Sequence, residues 1–208
     1  PVITWRLYSQ IVMGITAAPL LKKEVKGYDL GPEQLWKHAM AVAIGSEELA
    51  KKLDTATPEV AFTGGLLHDI GKVVLGNFID TDGGAIKSLA FEEGLSFHNA
   101  ERRVLAIDHA EVGARLLDHW DLPEQHVKAV RWHHEPDRLT ENRSVTDLVH
   151  VAELVCMQGG IGSGTDGLHY HHSSHAVQRL GITRDMAETL LLEVETNLEA
   201  MSSLFSEH

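Results

Sequence analysis

Several features that would assign a protein to a class are scarce in this sequence of 208 residues. The only cysteine is Cys156, so no disulfide can form within the chain, which favours a cytoplasmic setting. No apolar run approaches the roughly 20 residues of a membrane span, and no signal peptide is visible, so we expect no membrane partner. Lys and Arg total 18 against 30 Asp and Glu, without a basic cluster, so we also expect no nucleic-acid partner.

The pattern of apolar residues is helical almost throughout, and alternating strand-like runs are absent, which predicts an all-α fold. Three parts are expected: an N-terminal helical segment over 1–30, a core over 31–158, and a last part over 159–208. The last part would contain a mobile Gly-rich loop over 159–164 and a C-terminal helix that packs on the core. Because the chain begins at Pro1 without a methionine, we expect it to be trimmed or to belong to a longer protein.

The predicted helices of the core follow from their apolar faces and proline signals. One has Pro32 in its first turn and continues to Leu53. The next runs from Pro58 to Phe78 and is apolar on nearly all sides, which predicts a helix at the centre of a bundle. Shorter helices are predicted at about 83–94, 98–106, 109–119, 123–133 and 144–158, and the last runs from a Thr183 cap to about Phe205.

Histidine is unusually frequent, with 14 residues. The strongest signal is GLLHDIGK, residues 65–72, which places His68 and Asp69 inside the most apolar predicted helix. Burial of an imidazole and a carboxylate is unfavourable unless they are paired or bind a metal. Lys72, one turn after His68, would reach an oxyanion bound to such an ion. A buried pair satisfied by backbone carbonyls is the alternative.

Other side chains of the same chemistry lie in separate predicted helices. Each has a plainer interpretation: a satisfied core histidine for His38, a helix C-cap for the doublet His133–His134, and an exposed carboxylate for Glu153. Together they suit Zn, Fe, Mn, Ni or Mg. Because they outnumber the ligands of one closed site, they predict one or two divalent ions, with Asp69 bridging in the second case. The candidate ligands are His38, His68, Asp69, His109, His133, His134 and Glu153.

The remaining histidines are predicted to lie outside the site. His150 is expected on the polar face of its helix, with support of a carboxylate ligand as the alternative. Four others follow the Gly-rich stretch, where a solvated flexible loop is favoured over adventitious metal binding: His169, His171, His172 and His175. Those without motif context are expected at the surface: His98, His119, His126 and His208.

Five blocks carry a resemblance to a known family: LWKHAMAVA, GLLHDIGKVVL, DHAEVGARLLDHWDLP, AVRWHHEP and LVHVAELV. The sequence resembles the HD superfamily of metal-dependent phosphohydrolases and, within it, the HDOD family of bacterial signalling proteins. This resemblance implies an HD-domain-like helical bundle. It also implies one metal shell of His38, His68, Asp69 and Glu153, and a second of His109, His133 and His134, with Asp69 between them. By analogy with the active relatives, Asp69 and Lys72 would be catalytic, and Lys72 would contact the phosphate of the substrate.

Three departures from the active relatives favour signalling over turnover. No Gly-Tyr-Pro follows the histidine doublet, Gln34 stands where trinuclear relatives carry a Glu, and Glu153 replaces the usual Asp. The resemblance therefore implies a bacterial signal-transduction module that binds signalling proteins or fused regulatory domains. An active phosphohydrolase, whose partner would be a nucleotide or another phosphate-containing small molecule, is the alternative. A scaffold whose His–Asp cluster closes a polar core is a third possibility.

Overall fold

A computed structural model describes residues 5–161, 164 and 172–205. Within these ranges the chain forms helices and no strand, apart from an isolated bridge between Val25 and Leu30, so the all-α prediction is confirmed. None of the helices described is both long and apolar enough to cross a membrane. The elements are α1 (Trp5–Leu21), a short 3-10 helix (Lys26–Tyr28), α2 (Gln34–Leu53), α3 (Pro58–Leu67), α4 (Ile70–Glu93), α5 (Phe97–Leu105), α6 (His109–His119), α7 (Glu124–Trp132), a second 3-10 helix (Pro136–Arg138), α8 (Ser144–Gln158), α9 (Ser174–Arg179) and α10 (Arg184–Phe205).

Helix α2 lies at the centre of the bundle and packs against α3, α8 and α10. Nearly every residue from Leu35 to Ala50 is buried, because small alanines alternate with Leu, Met, Val and Ile and let several helices approach. At Gly45 a Cβ atom would lie 3.1 Å from the Cβ of Ala152 on α8. This central helix carries His38 into the interior.

The prediction of one continuous helix from Pro58 to Phe78 is wrong. Helix α3 ends at Leu67, and α4 begins at Ile70 and continues to Glu93, through the region where the sequence predicted a break. The turn falls on His68 and Asp69; Asp69 has φ −101° and ψ 9°, and its carbonyl accepts from the N–H of Lys72 at 2.9 Å. Because apolar residues flank the turn on both sides, the helical period does not register it.

Helix α9 lies where the sequence predicted a solvated loop, and for His175 that prediction is wrong. His175 lies within α9, and its Nδ1 is 3.5 Å from a carboxylate oxygen of Asp137. The helix is capped by Ser173, whose Oγ accepts from the N–H of Ala176 at 3.0 Å. His172 directly precedes the cap and is exposed.

Other parts of the predicted loop lie outside the described residues. These are 162–163 and 165–171, which include His169 and His171. The same holds for the first four residues of the chain and for 206–208, which include His208. The predictions made for these three histidines therefore stay predictions.

Candidate metal centre

His68 and Asp69 lie where α2, α3, α4 and α6 meet. Glycines allow the backbones of these helices to come into contact. A Cβ at Gly65 would lie 2.7 Å from the Cα of Ala43 on α2, so α3 is held directly against α2. Gly71, at the start of α4, packs in the same way on the start of α6, near Gly113. The turn at Asp69 between these contacts therefore faces both α2 and α6.

One group of candidate ligands lies on the α2 side of Asp69. Ligand atoms of His38 on α2, His68 at the turn and Glu153 on α8 all lie within 4.8 Å of one another. Asp69 Oδ2 is 3.3 Å from Nε2 of His68 and 3.8 Å from Nε2 of His38. All four side chains are buried. Three or four donors at this spacing can hold one divalent ion.

A second group lies on the α6 side. Ligand atoms of His109, which begins α6, and of His133 and His134, which follow α7, also lie within 4.8 Å of one another. The other oxygen of Asp69, Oδ1, is 3.4 Å from Nε2 of His109 and 3.8 Å from Nε2 of His133. The structure therefore brings together all seven side chains that the sequence singled out as ligands, with Asp69 between two groups.

Four of the five imidazoles present the same nitrogen to the centre. Nδ1 of His68 donates to the carbonyl of Gly65 at 2.6 Å, that of His133 to Val130 at 2.7 Å, and that of His38 to Ile161 at 3.0 Å. Because a carbonyl only accepts, these contacts place a proton on Nδ1 and direct Nε2 inward, towards the centre. In the fourth ring, His109, a carboxylate takes the place of the carbonyl.

Three buried atoms at the centre test whether a metal suits these residues. Nε2 of His68, Nε2 of His133 and Oδ1 of Asp69 have no hydrogen-bond partner. Buried polar atoms are nearly always satisfied, and polar atoms without a partner that converge from two separate parts of the chain, the turn at His68–Asp69 and the end of α7, match the needs of a divalent cation. The donor set, imidazoles and carboxylates without thiolate, suits the metals expected from the sequence. The residues present therefore fit a metal centre.

Glu101 belongs to the site but was not predicted from the sequence. It is fully buried on α5, and its Oε2 accepts from Nδ1 of His109 at 2.8 Å and from the backbone N–H of the same residue at 2.9 Å. Its Oε1 accepts from the hydroxyl of Tyr28 at 2.6 Å. The signal was present in the sequence: Glu101 falls on the apolar stripe of α5 together with Phe97 and Val104, where a carboxylate requires a partner.

The charges of the centre are set by these contacts. Burial opposes the charge of Asp69, but His68 and Lys72 outweigh it and hold the pKa of Asp69 well below its usual range. Burial also opposes the charge of His109, but the carboxylate of Glu101 raises the pKa of His109 to about 9. For His38 burial prevails, with the neighbouring His68, and lowers the pKa to about 4. Burial likewise lowers the pKa of His133 well below its usual value.

Lys72 is the cation that lies nearest to Asp69. It is buried, its Nζ lies 2.6 Å from Oδ2 of Asp69, and it lies over the ring of Tyr28 at 5.6 Å from the centroid. The sequence predicted that Lys72 would contact a bound phosphate. In the structure its ammonium is paired with Asp69, which balances a carboxylate that is otherwise surrounded by protein.

Of the histidines predicted at the surface, His119 is exposed at the end of α6, as expected, whereas two others are buried. His98 stacks on His134 with ring centroids 4.4 Å apart and planes inclined by 8°. His126 is buried on α7. Burial of these two rings could not be read from the helical period, because each lies beside the apolar stripe of its helix.

His150 was predicted on a polar face, and that prediction is wrong. It is fully buried on α8, and its Nδ1 donates to the carbonyl of His133 at 2.6 Å. It therefore supports a residue of the second ligand group rather than the carboxylate ligand Glu153 that the sequence offered as its partner.

Fold and site together define a helical bundle with an HD-type cluster of imidazoles and carboxylates. The HDOD domain family matches residues 4–136, and the chain belongs to this family. It is also 30% identical over 103 residues to an uncharacterized protein of Treponema pallidum (strain Nichols). That match covers 49% of this chain and 20% of the relative, so the matched part is about a fifth of the relative's length.

Two crystal structures share the fold. An HDOD domain protein of Geobacter sulfurreducens matches with a TM-score of 0.74 and 23% identity, over 98% of this chain and 71% of its own. A protein of Marinobacter aquaeolei VT8 matches with a TM-score of 0.75 and 19% identity, over 97% of this chain and 45% of its own. The name of that protein describes it as a signal transduction protein. Both similarities support the HD-domain-like helical bundle expected from the sequence.

Proposed function

We propose that this chain is a signal-transduction module whose buried cluster binds one or two divalent ions, and that it acts through contacts with signalling proteins or fused regulatory domains. Membership of the HDOD family and the name of the Marinobacter protein support the signalling part. The single observation that carries the metal part is the convergence of two ligand groups on Asp69. The lack of a basic cluster in the sequence favours a protein partner over nucleic acid, and the single cysteine favours the cytoplasm.

The burial of the cluster favours a role inside the fold over turnover. Every side chain of the two ligand groups, together with Asp69 and Lys72, is at most 8% exposed. Catalytic metal sites keep an open coordination position and a cleft for substrate, whereas closed sites stabilise a fold or a conformation. Bound ions would therefore stabilise the packing of α2, α6 and α8 on one another. A partner protein that contacts these helices would bind the metal-loaded and metal-free forms with different affinity.

The proposal is tested by metal analysis together with an assay for turnover. We expect one or two equivalents of a divalent ion in protein purified without chelator, and loss of the ion in Asp69→Ala. Asp118→Ala, at an exposed position of α6, is the matched control and keeps the ion. Protein free of stoichiometric metal would contradict the metal part. Phosphoester turnover by the metal-loaded protein that Asp69→Ala abolishes would contradict the non-enzymatic part.

A metal-dependent phosphohydrolase acting on a nucleotide or another phosphoester is the second candidate. The observation in its favour is that the two oxygens of Asp69 face different ligand groups, at 3.3–3.8 Å from their nitrogens. A carboxylate between two sites is the arrangement of two-metal hydrolases, in which the ions supply a hydroxide and stabilise the phosphoryl oxygens. A panel of phosphatase and phosphodiesterase substrates decides between the two functions.

A further inference from the structure

We infer that His150 is a positioning residue, which holds the candidate ligand His133 in place and couples it to the docking of α9. The coupling rests on the proposed metal site and concerns how that site communicates with the outside of the fold. No described residue of α9 belongs to either ligand group. Two sets of contacts join this helix to the site, and a third set orients the ligand His133.

The first set joins His150 to both elements. Its Nδ1 donates to the backbone carbonyl of His133 at 2.6 Å, and its Nε2 accepts from the backbone N–H of Ser173 at 2.9 Å. The ring is therefore fixed in one tautomer, with its proton on the side of the ligand. Because His133 is the C-cap of α7, its carbonyl lies at a helix end, where a side-chain donor is needed. One rigid ring thus links a ligand's backbone to the residue that caps α9.

The second set binds α9 to the same two parts of the site through charge. Arg179 donates to both carboxylate oxygens of Asp147 on α8, at 2.8 and 2.6 Å, and to Asp137 at 2.6 Å. Asp137 lies three residues after His134, and its other oxygen accepts from the hydroxyl of Ser173 at 2.6 Å. Helix α9 is therefore attached by polar contacts to the segment that carries the histidine doublet and to the helix that carries the carboxylate ligand.

The third set holds His133 itself. Its own ring is oriented by the carbonyl of Val130, so the backbone position of His133 determines where its Nε2 points. If α9 leaves, the ring of His150 loses the N–H of Ser173 that holds its Nε2, and the ring is freer to rotate or shift. Movement of that ring releases the carbonyl of His133 and changes the ligand position. The coupling is reciprocal, so a bound ion that fixes His133 also stabilises the docked α9.

Arg179→Met tests the coupling from outside the site, because Arg179 pairs with Asp137 and Asp147, neither of which is a candidate ligand. Co²⁺ is the probe, since its absorption spectrum reports the number and position of its ligands. We expect Arg179→Met to weaken Co²⁺ binding about 10-fold, the lower end of the effect of losing a group that supports a metal ligand, because undocking of α9 removes the N–H of Ser173 from His150. Arg184→Met, which removes an exposed i,i+4 pair with Glu188 on α10, is the matched control and leaves the affinity unchanged. In the wild type we expect Co²⁺ to slow hydrogen exchange of the amides that begin α9.

His150→Asn and His150→Gln separate positioning from a general loss of packing. The amide of Asn lies near the place of Nδ1 and keeps a donor for the carbonyl of His133, whereas Gln reaches towards Ser173. We expect His150→Asn to retain the Co²⁺ spectrum of the wild type and to lose the Co²⁺-dependent protection of α9. His150→Gln shows the altered spectrum and the weakened binding.

The outcomes distinguish the coupling from the proposed function. If the wild type and Arg184→Met bind no Co²⁺, the proposed metal site is wrong and the coupling is overturned with it. If they bind Co²⁺, and Arg179→Met binds it with the same affinity although its α9 amides exchange faster, the coupling alone is wrong. Identical spectra and affinities in His150→Asn and His150→Gln would also overturn the positioning role of His150.

Discussion

The first turn of α4 and the first residue of α6 are in direct backbone contact: a Cβ atom at Gly71 would lie 1.9 Å from the carbonyl oxygen of His109. Gly71 is two residues from Asp69, so this contact sets how far the carboxylate stands from the second ligand group. Gly113 on α6 forms the other half of the same contact, because a Cβ there would lie 3.2 Å from the N of Gly71.

Gly71→Ala is expected to destabilise the protein by about 3 kcal/mol or more, because the added methyl group overlaps a backbone atom that cannot rotate away. Denaturation with urea measures the change. Gly84→Ala is the matched control on the same helix: nothing lies within 4 Å of its Cβ position, and alanine there stabilises the helix by about 0.5–1 kcal/mol. Equal effects of the two substitutions would contradict the described contact.

Glu101→Gln is expected to change how the stability of the metal-free protein depends on pH. Because the pKa of His109 is raised from 6.5 to about 9, its stabilising charge is fully present below pH 6.5 and is lost as the pH rises through 9. For a pKa shift of this size, the free energy of unfolding falls by about 3 kcal/mol over this pH range. Without the carboxylate of Glu101, burial lowers the pKa of His109, and this loss of stability disappears.

Urea midpoints at pH 6, 7.5 and 9 in the presence of chelator measure this effect. Glu111→Gln is the control, since Glu111 pairs with Arg115 and Arg131 near the surface and lies outside the contacts of His109 described above. A wild-type stability that stays constant from pH 6 to pH 9 would contradict the role given to Glu101.

Lys72→Met is expected to destabilise the metal-free protein by about 3 kcal/mol, because it removes the cation nearest to the buried carboxylate of Asp69. Bound divalent ions replace that positive charge, so the loss is smaller in the metal-loaded variant. Melting temperatures with and without Zn²⁺ measure the difference. Lys87→Met, which removes the exposed pair with Asp29, changes stability by no more than about 0.5 kcal/mol in either state. A loss that is the same with and without metal would contradict this charge balance.

Chelation of the wild type is expected to lower its melting temperature. An ion present at about 100 times its dissociation constant stabilises the native state by about 2.7 kcal/mol, which corresponds to roughly 5–10 °C for a chain of this length. Differential scanning calorimetry with EDTA and with added Zn²⁺ or Mn²⁺ measures the shift. Identical melting curves under all conditions would favour the third possibility, a scaffold whose His–Asp cluster closes a polar core.

The sequence predicted the fold class correctly, and it singled out seven side chains that the structure brings together, because both leave local signals. The helical period is visible in almost every segment, and the residues His38, His68 and Asp69 stand out as polar groups on apolar faces. The turn at His68–Asp69 was missed because it is stabilised by packing of Gly65 and Gly71 on other helices. Such contacts between distant residues leave no periodic signal.

The supporting residues were harder to predict than the ligands. Glu101 contacts His109 across 8 residues of sequence, and His150 contacts His133 across 17. Both contacts include backbone atoms, which are the same in every residue and therefore leave no signal in the sequence. Helix α9 was missed for a related reason. It has only the six residues Ser174–Arg179, and its few apolar contacts, through Ala176 and Val177, are too short a pattern to show a helical period, while the ion pairs of Arg179 depend on distant residues.

The Nδ1 contacts of His38, His68, His109 and His133 have a consequence for the thermodynamics of ion capture. Each ring gives up its rotational freedom when the chain folds, and this entropy is lost before any ion arrives. An incoming cation then meets donors that are already ordered, so most of its interaction energy appears as affinity. In the metal-free protein the same ordering holds polar ring nitrogens close to one another, which is unfavourable. The stability of the fold therefore depends on the concentration of metal around it.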